Sequence, residues 1–404
     1  MDGSFDTKTF DDVIMHTYAR FPLALERGAG CRVWDTDGRA YLDFVAGIAT
    51  CSLGHAHPQL TEAITAQAQR LLHVSNLYYI PEQGALARWL VERSVADKVF
   101  FCNSGAEANE SAIKLARKYA YTTRHISAPE IITAQASFHG RTMGAVTATG
   151  QPKYHKYFAP LLPGFSYVPY NDLAALEAAL TPNTAAILLE PLQGEGGVVP
   201  GEREYFQAVR RICDERDILL IFDEVQVGMG RTGYLWAYQH LGVEPDLLTL
   251  AKALGGGIPI GALCAREKFA VFQPGDHAST FGGNPFACGV ALAACRILEA
   301  QNLVANARLR GEQLQVGLTK LAQRFPEQVA GVRGWGLIQG LVLQEDRAVQ
   351  VVNAALQQGL LLVPAGASVV RLVPPLIVTS TEIEEALDLL GRALASLRAP
   401  VLVP

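Results

Sequence analysis

The sequence predicts an α/β protein: a large domain built on a mostly parallel sheet, with a smaller α+β domain made from the N-terminal arm and the C-terminal part. Three observations carry that prediction. First, apolar runs KVFFC (98–102), EIITA (130–134), AAILLE (185–190), DILLIFDEV (217–225) and DLLTLA (246–251) alternate with amphipathic stretches such as 107–120 and 203–216. Strands that are apolar throughout need helices on both faces, which is the signature of a parallel sheet. Second, residues 25–54 hold short alternating segments with Asp37-Gly38 as a hairpin turn signal. Third, beyond about residue 290 the pattern changes to a long helix over roughly 286–324, a few strands in WGLIQGLVL and SVVRLVPP, and a final helix. The expected segments are 1–55 as the N-terminal arm, 56–290 as the large domain and 291–404 as the small domain.

Composition narrows the function classes. With 404 residues the chain buries about three quarters of its unfolded surface and needs no disulfide staples. Half of it is hydrophobic and 18% is charged, which excludes a disordered or fibrous chain. A net charge of -5 argues against a nucleic-acid partner. The seven cysteines form no C-x-x-C pair, so free thiols are expected rather than a disulfide framework or a zinc site. The polar, acidic first residues carry no signal-peptide pattern, and no apolar run approaches the roughly 20 residues of a membrane helix. A cytoplasmic protein without a membrane partner is the expectation.

Along the chain, Pro58 opens a helix just after His55 and His57. Without a cysteine or acidic partner in evident metal-ligand spacing, these two histidines read as structural and no metal is expected. Asn103-Ser104-Gly105-Ala106 lies between the strand KVFFC and the next helix, and Ser104 with Glu107 makes a capping box. A helix start offers unpaired N–H groups and partial positive charge to an anion, and small residues at 105 and 106 allow a phosphate to approach. Gly228-Met229-Gly230-Arg231-Thr232-Gly233 matches a dinucleotide fingerprint, but the following strand ends in Ala251-Lys252 rather than an acid. It reads as a turn. Thr381 and Glu384 suggest the capping box of the last helix.

The chemistry concentrates at strand ends, where sheets of this kind place their sites. DILLIFDEV ends in Asp223 and Glu224, and DLLTLA delivers Lys252 to the same sheet edge. A lysine between an apolar strand and Gly255-Gly256-Gly257 has little reason to sit there as a surface charge. Desolvation and charged neighbours lower a lysine's pKa and make its amine nucleophilic. A phosphate cradle, a buried carboxylate and a Schiff-base lysine on one edge together describe pyridoxal 5'-phosphate.

NSGAEANE (103–110), FHGRT (138–142), EPLQGEGG (190–197), DEVQVGMGRTG (223–233), AKALGGGIPIG (251–261) and TFGGNP (280–285) resemble the class III aminotransferases in order and spacing. The resemblance implies the type I pyridoxal-phosphate transferase fold and a homodimer with shared active sites. It implies that Lys252 and Asp223 are catalytic, Lys252 holding the cofactor and Asp223 keeping its ring nitrogen protonated. Ser104, Gly105 and Ala106 would receive the phosphate. Val225 and Phe138 would sandwich the ring, Gln226 would bond its phenolic oxygen, and Thr280 would reach the phosphate of the other subunit. Arg141 would bind the donor's α-carboxylate and Arg371 a carboxylate of glutamate or 2-oxoglutarate, with Glu195 neutralising Arg371 in the alternate half-reaction. Ser279 would stand near the substrate, and SNLYY (75–79) would line the mouth of the site. Within the family the motifs are most similar to members that take N2-acetyl-L-ornithine as donor and 2-oxoglutarate as acceptor. Other ω-amino donors, namely ornithine, succinylornithine, 4-aminobutyrate and lysine-pathway analogues, remain open. An aminomutase of the same fold and a non-enzymatic pyridoxal-phosphate sensor fit the sequence less well.

Overall fold

The computed structural model describes residues 7–397. The N-terminal strands β1 (Leu25–Ala29), β2 (Arg32–Asp35) and β3 (Ala40–Asp43) form an antiparallel meander, with the Asp37-Gly38 turn joining β2 to β3. The segments KVFFC, EIITA, FSYV and TAAILL form β4 (Lys98–Cys102), β5 (Glu130–Ala134), β6 (Phe165–Val168) and β7 (Thr184–Leu189). A short antiparallel pair follows, β8 (Leu192–Gln193) and β9 (Val199–Pro200), whose connecting loop carries Glu195. Next come β10 (Leu219–Asp223), β11 (Leu247–Leu250) and β12 (Gly261–Ala265).

These strands form a seven-stranded sheet in the order β4-β12-β11-β10-β7-β5-β6. It is parallel except for β12, which runs antiparallel to both β11 and β4. Alternate residues of β10 serve opposite faces, because side chains in a strand alternate. Leu220 and Phe222 pack with Phe206 and Trp236, whereas Leu219 and Ile221 pack with Ile113, Ala116 and Tyr119 of the helix Gly105–Thr122. Each such fully buried side chain contributes about 1.5–3 kcal/mol, so the sheet edge that carries the functional residues rests on a rigid base.

The C-terminal part holds β13 (Val329–Trp335), β14 (Ile338–Leu343), β15 (Leu360–Leu361), β16 (Val363–Pro364) and β17 (Val369–Leu372). β13, β14, β17 and β16 form one sheet in that order, while β15 pairs in parallel with β3. Leu314, Leu318 and Leu390 from the C-terminal helices share one apolar cluster with Leu341, Val370 and Leu372, and with Leu42 and Phe44 from the N-terminal segment.

Two sequence expectations need correction. The single helix over roughly 286–324 is two, Pro285–Ala300 and Leu303–Arg324, bent by 64°. Asn302 stands at the break with φ 51°, a left-handed conformation that asparagine tolerates better than most residues. The last helix, Ser380–Ser396, is capped by Thr379 and Glu382 rather than by Thr381 and Glu384. Thr379 Oγ1 accepts from Glu382 N, and Glu382 Oε2 accepts from Thr379 N at 2.8 Å, so both halves of the box close two residues earlier. Within WGLIQGLVL, Gly336 turns the chain with φ 49° between β13 and β14. No single helix among the described residues is long and apolar enough to cross a membrane.

Candidate active site

The ends of β4, β10 and β11 surround a cavity of about 400 Å³. The individual residues expected to be catalytic, cofactor-binding or substrate-binding all line it, except Ser279, Thr280 and Arg371. Gly228–Gly233 forms the expected turn after β10, and Ser104 caps the helix Gly105–Thr122 as expected. Ser104 Oγ accepts from Glu107 N at 3.2 Å, and Glu107 Oε2 accepts from Asn103 N at 3.0 Å. The first N–H groups of that helix have no intrahelical acceptor and open on the cavity. Gly105 is required by close approach, since a Cβ there would lie 2.6 Å from Val225 Cγ1.

Asp223 ends β10, buried, with Thr249 of β11 beside it in register. Its Oδ2 accepts from Asn109 Nδ2 at 2.7 Å and lies 2.8 Å from His139 Nδ1, and its Oδ1 accepts from Val225 N at 3.0 Å. Thr249 Oγ1 donates to Asn109 Oδ1 at 2.8 Å, which fixes the orientation of that amide. Asn109 and His139 were not among the residues picked from sequence. The available signal was helical spacing, because Asn109 lies one turn beyond Gly105 and on the same face. Glu190, also missed, is buried and accepts from Phe138 N at 3.2 Å. Burial, with the Asp223 charge added, holds its carboxyl well above the ordinary value. Glu224 faces away from the cavity and acts as a loop cap, accepting from Ala237 N and Tyr238 N at 2.7 Å each.

Lys252 stands two residues beyond β11 at the start of a short 3-10 turn. Its φ of 47° is a strained conformation for a residue with a side chain, of the kind that collects at functional sites. Burial lowers its amine to about 8, against a partly opposing attraction from Glu195. In cofactor-free protein, half-maximal trinitrophenylation of Lys252 is therefore expected near pH 8, read by peptide mass analysis. Half-maximal labelling above pH 10 would contradict this environment.

Arg371 on β17 is fully buried, and its Nη1 lies 2.7 Å from Glu195 Oε1 and donates to Gln226 Oε1 at 2.8 Å. Burial alone would raise the Glu195 carboxyl, but Arg371 outweighs it and holds it below the ordinary range. Gln226 is thus engaged between Arg371 and Glu195, its Nε2 donating to Glu195 at 3.3 Å. Nε and Nη2 of Arg371 are buried and make no hydrogen bond among the described residues. Arg141 is exposed at the cavity, its guanidinium 3.9 Å from the centre of the Tyr154 ring, and Phe138 meets the same ring edge-on at 5.7 Å. Ser279 stands at the rim, 3.1 Å from Asn103 Nδ2, while Thr280 is exposed and outside the cavity of its own chain. Residues 75–79 do not line that cavity either. Asn76 donates to Gly282 O at 2.8 Å, and Leu77, Tyr78 and Tyr79 are exposed.

The residues present fit pyridoxal phosphate. A buried carboxylate oriented by two side chains suits a protonated ring nitrogen, the helix start suits a phosphate, and a lysine with a lowered pKa opens between them. This sheet and this site define a pyridoxal-phosphate enzyme of the type I fold. The chain belongs to the class III aminotransferases, whose family profile matches residues 13–394. It is 67% identical to an acetylornithine aminotransferase of Thermosynechococcus vestitus, with 98% of each chain covered. A second acetylornithine aminotransferase, from Nostoc sp., is 65% identical over 98% of this chain and 95% of its own. Among solved structures, the ornithine aminotransferase of Toxoplasma gondii superposes with a TM-score of 0.93 at 36% identity, covering 96% of this chain and 94% of its own. The N-acetylornithine aminotransferase of Stenotrophomonas maltophilia superposes with a TM-score of 0.83 at 42% identity, covering 94% and 97%.

Proposed function

We propose that this chain transfers the δ-amino group of N2-acetyl-L-ornithine to 2-oxoglutarate, giving N-acetyl-L-glutamate 5-semialdehyde and L-glutamate, a step of arginine biosynthesis. The observation that carries the reading is the ion pair of buried Arg371 with half-buried Glu195 beside Lys252, together with relatives of that name at 67% and 65% identity. When bound, pyridoxal phosphate supplies the electron sink for the carbon losing its proton and carries the amine between the two substrates. The first turn at Ser104, Gly105 and Ala106 receives the phosphate, and Val225 and Phe138 hold the ring between them. Asp223, oriented by Asn109 and His139, keeps a proton on the ring nitrogen. Gln226 has a second amide hydrogen for the phenolic oxygen. Lys252 would take the proton from the δ-carbon of the donor and deliver it to the C4' carbon of the cofactor, a transfer aided by its lowered pKa.

Arg141 grips the donor's α-carboxylate, which 4-aminobutyrate lacks. In that half-reaction Glu195 neutralises Arg371. For 2-oxoglutarate, Glu195 swings away and the free Nε and Nη2 of Arg371 take a carboxylate. Removing one partner of a buried ion pair costs about 3–5 kcal/mol, so Arg371 needs Glu195 whenever no dicarboxylate is present. A donor such as ornithine is the second reading, favoured by the close superposition on an ornithine aminotransferase.

The protein works as a homodimer in which Ser279 and Thr280 serve the partner's site. Support comes from the exposed apolar residues Leu71, Leu72, Leu77, Tyr78, Tyr79 and Phe281, a surface suited to a second copy. The division into 1–55, 56–290 and 291–404 belongs to the same reading, supported by a central sheet that draws only on strands between residues 98 and 265, and seven free thiols support a cytoplasmic location. The deciding experiment is half-reaction spectroscopy of the loaded enzyme with N-acetylornithine, ornithine, 4-aminobutyrate and glutamate. Fast bleaching by N-acetylornithine and glutamate with slow 4-aminobutyrate is expected. A wide lead for ornithine or 4-aminobutyrate would leave the fold and cofactor standing and overturn the substrate.

A further inference from the structure

The turn Gly228–Gly233 conceals a second arginine whose burial is expensive. Arg231 is 1% exposed, and no carboxylate pairs with it among the described residues. Its Nη1 donates to two backbone carbonyls, Leu337 O at 3.1 Å and Pro374 O, while Nε and Nη2 make no hydrogen bond among the described residues. Burial alone pushes the guanidinium down to about 9. Burying a charge without a counter-charge is costly, and an apolar side chain of similar volume would avoid that cost. What a methionine or leucine could not do is hold two carbonyls from different segments.

Those segments matter. Arg231 follows Asp223 by eight residues and Gln226 by five, so it belongs to the strand-end that carries the ring-nitrogen carboxylate. Leu337 lies between β13 and β14, and its N donates back to Arg231 O at 2.9 Å. Pro374 follows Arg371 by three residues. The N–H groups around it are already committed: Val373 N to Phe44 O at 2.8 Å and Leu376 N to Ser52 O at 2.7 Å, on either side of Thr50 at the cavity. The space is tight as well, since a Cβ on Gly336 would lie 2.4 Å from the Thr232 carbonyl carbon.

We infer that Arg231 is a positioning residue for dicarboxylate selectivity: its guanidinium fixes the strand bearing Arg371 against the strand-end bearing Asp223 and Gln226. It touches neither substrate nor cofactor. The inference rests on the reading of Arg371 as the dicarboxylate site. Without the clamp, Arg371 still pairs with Glu195 but loses its set distance from the substrate, so the dicarboxylate half-reaction suffers more than the donor half.

The test uses the full-length loaded enzyme with Arg231→Lys, Arg231→Met and Arg371→Ala. Four quantities are read: the lysine-bound cofactor absorbance, melting temperature, kcat/KM for glutamate and N-acetylornithine half-reactions, and the dissociation constant of glutarate by calorimetry. Arg231→Met is expected to weaken glutarate and lower kcat/KM for glutamate about tenfold, with N-acetylornithine changed less than about threefold and the absorbance retained. Arg231→Lys, which can reach one carbonyl, is expected to fall between wild type and Met, and it decides the matter alone if Arg231→Met does not fold. Equal losses for both substrates, or a lowered melting temperature with unchanged glutarate binding, would show a merely structural clamp and overturn the inference. If Arg371→Ala also leaves glutarate binding unchanged, the reading of Arg371 falls too. If Arg371→Ala abolishes it while the Arg231 variants show no selective loss, only the positioning role falls.

Discussion

Lys252→Ala is expected to abolish the visible absorbance of the lysine-bound cofactor and to cut turnover by at least about 10³-fold, the range of a lost acid–base group that is also the covalent attachment point. The surroundings offer no replacement. The charged groups that act on its amine are Glu195, Arg371, Asp223 and Glu190, none of which is a second amine. The fold should survive the change. Alanine fits the strained φ of 47° no worse than lysine, and the turn that follows is set by Gly256, with φ 58°. Replacement by glycine would relieve the strain and is expected to be slightly more stable than alanine while equally inactive. An unchanged visible spectrum in Lys252→Ala would refute the attachment outright. Retained turnover with a lost spectrum would move the proton transfer to another group.

Much of this site could be read from the chain because parallel sheets put function at the ends of apolar strands. KVFFC, ILLIF and DLLTL are apolar because both their faces are covered, and Ser104, Asp223 and Lys252 stand within two residues of where they end. Other features left weaker traces. FSYV and GALCA, the strands β6 and β12, have small or mixed residues and were not among the runs picked out. β12 is also the one strand of the seven-stranded sheet that runs against its neighbours. The break at Asn302 escaped notice because asparagine takes a left-handed conformation without glycine's obvious mark. The layer behind the reactive groups was illegible for a different reason. Asn109, His139 and Glu190 act through contacts 30 to 114 residues away in sequence, where local pattern carries no information. Arg231 was correctly seen as part of a turn, yet its burial and its reach to Pro374 exist only in three dimensions.

The same layer makes Asp223→Asn the sharpest test of the electrostatic design. The carboxylate is held by three donors: Asn109 Nδ2, His139 Nδ1 and Val225 N. An asparagine has one acceptor oxygen and one NH₂ group, so whichever way it turns, a donor meets a donor. If the oxygen keeps Asn109 and His139, the NH₂ faces Val225 N–H; if it flips, two buried donors lose their partner at about 1–3 kcal/mol each. The first orientation costs less and should prevail. Folding and cofactor attachment at Lys252 therefore survive, but the negative charge that keeps the ring nitrogen protonated is gone. Loss of one preorganised electrostatic group in a water-poor site costs about 10²–10³-fold, and turnover is expected to fall by that much. The two half-reactions should fall together, because both draw on the same ring nitrogen, in contrast to the one-sided loss expected when Arg371 or its clamp is altered. Near-wild-type kinetics in Asp223→Asn would refute the role. A loss confined to one half-reaction would mean that Asp223 acts on substrate position rather than on the ring.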